Sequence, residues 1–194
     1  MVTRGAAAVL LVLLAAAARA QQPRPSFVVQ AGGVVAAALP VSLLDVPSVR
    51  RQLGSGLTTT FLVLARQRDT RAITGARIEV RYDLWDEVWI VRRLEFDRRG
   101  EPQRIASRDA LEKWWRTPLR LLATSAPRLA LQVDLSVLPF SDAEEEDVRQ
   151  WMSKSGGVGT PGTASAGLVD VLIGTTISAK PVTSYRWNVD LTLR

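Results

Sequence analysis

Between residues 78 and 96 apolar and polar positions alternate, stop at a short interruption, and resume. Ile78, Val80, Tyr82 and Leu84 alternate with Glu79, Arg81 and Asp83; beyond Trp85, Asp86 and Glu87, the even positions Val88, Ile90, Leu94 and Phe96 are again apolar. A period of two marks a strand with one buried face. The pattern predicts a hairpin with a three-residue loop that pairs Leu84 with Val88, Tyr82 with Ile90 and Ile78 with Leu94. The same register sets Glu79 opposite Arg93 and Arg77 opposite Glu95 on the outer face, two opposite-charge pairs worth roughly 0.2–1 kcal/mol each. Arg92 is the misfit, on the core face opposite Val80, where a bulge or a snorkelling stem would be needed. Trp89 falls on the outer face beside Val91, with Trp85 at the loop. The expectation is that a helix covers that face. The alternative is an exposed contact patch of Trp85, Trp89, Asp86 and Glu87.

The same reading extends along the chain. The apolar run 27–40 predicts one strand, or two short ones broken at Gly32-Gly33. Val46, Val49 and Leu53 have helical spacing, with Pro47 tolerated in the first turn and Gly54 and Gly56 as a stop, so a short helix is expected over 47–53. The β-branched run at 57–67 predicts a strand. "SRDALEKWWRTP" predicts a helix with Ser107 as N-cap, Asp109 in the first turn and Pro118 after its end; Leu111, Trp114 and Trp115 share one face. After a short connector, "RLALQVDLSVLP" alternates strictly and predicts a strand that ends at Pro139. A second capped helix is expected at 141–152, with Ser141 and Glu144 forming a capping box. Its acid-rich first turn suits the helix dipole, so it is read as capping and not as a metal or acid/base site. Residues 154–167 predict a flexible loop, 168–173 a short helix, and 185–194 a terminal strand of unknown partner. The predicted class is α+β, mainly β: an antiparallel sandwich-like sheet with two or three short helices packed at an end or edge.

The first twenty residues change the picture of location. Arg4, the uncharged run at 5–18 and Ala18-Arg19-Ala20 have the layout of a signal peptide. The expected mature chain, 21–194, is a single periplasmic or secreted β-rich domain with no spanning helix. Charge adds little. The chain holds 25 basic and 19 acidic residues; without Arg4 and Arg19 the balance is 23 against 19, and the arginines scatter among acids. A nucleic-acid partner needs a clustered stripe, so none is expected.

Candidate chemistry is sparse. The chain has no histidine and no cysteine, which removes Ser-His-Asp and Cys-His constellations, thiolate metal sites and disulfides. No phosphate loop is present, and no cofactor is expected. Ser178 and Lys180 are two apart, and are read as coincidence. The reading is a non-catalytic exported binding or assembly module whose partner is another envelope protein. One alternative is a carboxylate-dependent envelope hydrolase using Asp83, Asp86 and Glu87. A second alternative is a small outer-membrane β-barrel, disfavoured by the capped helices and the terminal Arg194.

The stretches "LGSGLTTTFLV", "VRYDLWDEVWIVRR", "DALEKW" and "VDLSVLP" resemble an exported bacterial family of unknown function. Its members show a glycine before a "pLtf"-like strand, a "YD…Y" hairpin, an "eAL" helix and an "ldls.LP" strand. The resemblance covers roughly residues 45–140. It implies an exported domain and carries no activity to transfer. Here Trp89 stands as the hairpin's second aromatic, and the region after Pro139 is longer than the resemblance implies.

Overall fold

The strand-rich patterning resolves into two antiparallel sheets that enclose one apolar core. The structure is a computed structural model, and it describes residues 22–139 and 180–193. The signal peptide expected at 1–20, the helix expected at 141–152, the loop expected at 154–167, the short helix expected at 168–173 and Ser178 lie outside the described residues. The first sheet joins β1 (Ser26–Gln30), β2 (Val34–Ala38) and β8 (Leu119–Ala123) in that order. The second runs β10 (Thr183–Thr192), β9 (Arg128–Leu138), β3 (Thr59–Gln67), β4 (Ile73–Asp83), β5 (Val88–Glu95) and β6 (Arg98–Arg99), with β7 (Gln103–Ile105) also on β5. The predicted class, α+β and mainly β with a sandwich-like antiparallel architecture, is the one observed.

The core faces follow the period-two pattern. Phe61, Val63 and Ala65 of β3 align with Val137, Leu135 and Val133 of β9 and with Ile78, Ala76 and Thr74 of β4. These apolar residues and Val35, Ala37, Leu119 and Leu121 of the smaller sheet form one buried cluster. The terminal strand, whose partner the sequence left open, pairs along its full length with β9 and sets Trp187 opposite Val133. Tyr185, Val189 and Leu191 pack part-buried on the same face.

Two helices, α1 (Pro47–Leu53) and α2 (Arg108–Trp115), pack on this core. The Ser107 hydroxyl accepts the Ala110 N–H at 3.2 Å, the N-cap expected from sequence. Leu111 and Trp115 are buried, and the Trp115 indole meets the Phe61 ring edge-on at 4.8 Å. Trp115 Nε1 donates to the Pro40 carbonyl at 3.3 Å. The break between β1 and β2 falls at Gly32 and Gly33, which take φ of 76° and 72°.

Two expectations are corrected. Residues 119–123, read as a connector, form β8. It pairs with β2 and receives the Thr74 hydroxyl bond at the Leu121 carbonyl. The hairpin is one residue out of the predicted register: Val80 faces Val91, Tyr82 faces Trp89, Glu79 faces Arg92 and Ile78 faces Arg93. The loop is therefore four residues, 84–87, and the physical cause lies in the turn described below. The slip removes the Arg92 misfit, because Arg92 now lies on the outer face 4.0 Å from Glu79, and it moves Trp89 to the core face. The barrel alternative, disfavoured from sequence, draws no support from the sheet topology. Among the described residues the ends of the larger sheet, β10 and the β6–β7 flank, are not paired to each other. A second sheet and α2 pack on the inner face, so the described residues form no closed barrel. No helix of the described residues is long and apolar enough to cross a membrane.

Candidate functional site

The tip of the β4–β5 hairpin is built from the Asp83 side chain upward. Its carboxylate accepts the Trp85 N–H at 3.0 Å and the Asp86 N–H at 3.2 Å. This is the Asx turn that aspartate favours, and it ends β4 at Asp83. Glu87 then takes φ of 51°, turning the chain back into β5. The four-residue loop gives the core side Val80 against Val91, both fully buried, and Tyr82 against Trp89 with ring centroids 4.7 Å apart. A three-residue loop would have placed Val80 against Arg92. Local turn chemistry and core packing therefore favour the same register.

Two braces hold the tip. Arg104 of β7 pairs with Asp86, and β7 itself is zipped to β5 with Ile105 opposite Trp89. On the other side Leu84 rests on Gly56, where a Cβ would come 2.9 Å from Leu84 Cδ1. Gly56 also has φ of 77°, so this close approach and backbone conformation suit glycine. The result carries Trp85 at 96% exposure, beside Leu84 at 60%. Leu57, next to Gly56 in the chain, is exposed as well.

The electrostatics are set by the same bonds. The N–H groups of Asp86 and then Trp85 hold the Asp83 carboxyl below the ordinary carboxylate range, with Arg81 and Arg104 adding in the same sense. The Asp86 carboxylate pushes Arg104 above its ordinary value. A shallow depression of about 210 Å³ lies beside the tip, lined by Gly56, Arg81, Tyr82, Asp83, Leu84 and Trp85. Among the described residues no group of three or more carboxylates converges as a metal ion requires.

The structure thus separates the four residues of the predicted patch. Trp85, Asp86 and Glu87 share the exposed loop. Trp89 lies on the core face, half-buried against Tyr82, and is packed on the core cluster. Leu84, Leu57 and Arg104 belong to the tip and were not singled out from sequence. Leu84 was counted as a core-facing strand position by its alternation, and no local pattern links Leu57 or Arg104 to the loop. Compared with family models, curated proteins and solved structures, the chain matches none.

Proposed function

We propose that this chain is an exported binding module, periplasmic or secreted, that engages another envelope protein through the β4–β5 hairpin tip. The observation that carries the reading is Trp85, an indole 96% exposed on a turn braced by Asp83, Arg104 and Gly56. A large aromatic held in place brings contact area to an interface at small entropic cost. The acids Asp83 and Glu87 beside it favour a partner with an apolar pocket and a basic rim. Several arginines elsewhere are matched by acids, as in Arg108 with Asp45, Arg120 with Asp97 and Arg186 with Asp134, which speaks against a nucleic-acid stripe. The hydrolase alternative draws little from the geometry. A general acid needs a raised pKa, whereas Asp83 is lowered and Asp86 is ion-paired.

The test is Trp85→Ala in the tagged, exported chain. The substitution is expected to change stability by less than about 0.5 kcal/mol, as for a surface residue, while weakening partner capture at least ~tenfold, as loss of an anchor does. Retention of the same envelope partners by the variant would remove the tip from the interface. A stability loss of several kcal/mol would make Trp85 a packing residue instead.

A further inference from the structure

The corrected register brings a charged pair onto the core side of the larger sheet. Arg93 lies opposite buried Ile78, and Glu95, two residues on, shares its face. The Arg93 guanidinium stacks 4.1 Å over the Trp114 ring. It donates to the Thr117 carbonyl at 2.7 Å and to the Trp114 carbonyl, both at the C-terminal end of α2. These acceptors are neutral, and the Arg93 Nε is buried with no partner. Glu95 does not supply one: its oxygens accept from Arg98 and from the Arg120 N–H. Desolvation lowers Arg93 to about 10, with Arg98 acting in the same sense and Glu95 against it. A part-buried cation whose hydrogen bonds go to neutral carbonyls still has room for an anion, because buried charges are ordinarily matched.

The cation stands in the wall of a cavity of about 350 Å³ whose lining includes Arg98, Glu101, Gln103, Trp114 and Thr117. That volume is within the range of small-ligand sites. We infer that this cavity binds a single carboxylate group, which accepts from Arg93 with Arg98 and the Gln103 amide at its sides. A monoanion matches a guanidinium whose hydrogen bonds go to neutral carbonyls. Glu95 and Glu101 in the same lining disfavour a dianion such as phosphate. A small organic acid and the free C-terminus of a peptide offer the same group.

The experiment uses the full chain labelled with nitrogen-15 and follows the Arg93 Nε–H resonance, which reports on this side chain alone. The probes are propionate against propionamide, and trialanine with a free C-terminus against its amide. A saturable shift with an acid and none with its amide is the expected result; which acid acts identifies the source. Gln103→Glu, exposed on the lining, should weaken binding at least ~fivefold, and Glu101→Gln should tighten it about twofold, the scale of a partly solvated charge pair. The inference is overturned if the resonance does not move, if the amides or inorganic phosphate move it equally, or if both variants bind as the parent does.

Discussion

Asp83 shows how one side chain decides a hairpin. Its carboxylate is held low by the N–H groups of Asp86 and Trp85. A lowered carboxyl group stabilises the fold above its unfolded pKa, with the effect lost as pH falls through the lowered folded value. The tip should therefore stay closed through neutral and mildly acidic pH and open below the ordinary value of 3.8. Amide hydrogen exchange at Trp85 and Asp86 reads this directly. Asp83→Asn keeps an acceptor and should flatten the pH dependence with the turn retained. Asp83→Ala should speed exchange at both amides at every pH; unchanged exchange in that variant would assign the turn to packing alone. At this scale Arg92 already signalled the true register in the sequence. Its misfit on the predicted core face marked a loop one residue too short, and a bulge was only one of the ways to remove it.

At the scale of elements, what could be read depended on whether a local rule fixed the outcome. The helix at 108–115 was readable because cap, face and stop agree: Ser107 accepts the Ala110 N–H, Leu111 and Trp115 are buried, and Pro118 follows. Ser107→Ala should cost about 1 kcal/mol in equilibrium denaturation, and a change under about 0.3 kcal/mol would mean that the Arg93 bonds at the other end, with Trp115 packing, hold the helix alone. β8 had no such rule. Leu119, Leu121 and Leu122 are all buried, one of them off the alternation, because the pairing with β2 shifts register between Val35 and Ala36. The hairpin register turned on side-chain to backbone bonds in the turn, which alternation alone does not encode.

At the scale of the molecule the layered, mainly antiparallel class followed from strand count and helix caps, while strand order did not. β10 could have joined any edge by its pattern. It joins β9 because Trp187, Val189 and Leu191 extend the row of Val133, Leu131 and Leu129. Of the candidate patch, the exposed tryptophan was readable as a loop residue, but its separation from Trp89 depended on a one-residue register.

The meeting of Gly33 with Thr124 bears on the order in which the chain folds. The Thr124 N–H donates to the Gly33 carbonyl at 3.0 Å, and a Cβ on Gly33 would stand 2.1 Å from the Thr124 carbonyl oxygen. The β1–β2 hairpin is thus fastened to the exit of β8, so it waits for a strand encoded far downstream. Closure across so much sequence is slow, in the millisecond-to-second range typical of β sandwiches. Gly33→Ala, strained by its positive φ as well as by the contact, should cost roughly 1–3 kcal/mol. If this fastening is a late event, the loss will appear as faster unfolding with the refolding rate unchanged. A refolding limb slowed by the full amount would instead place the junction of the two sheets in the folding nucleus.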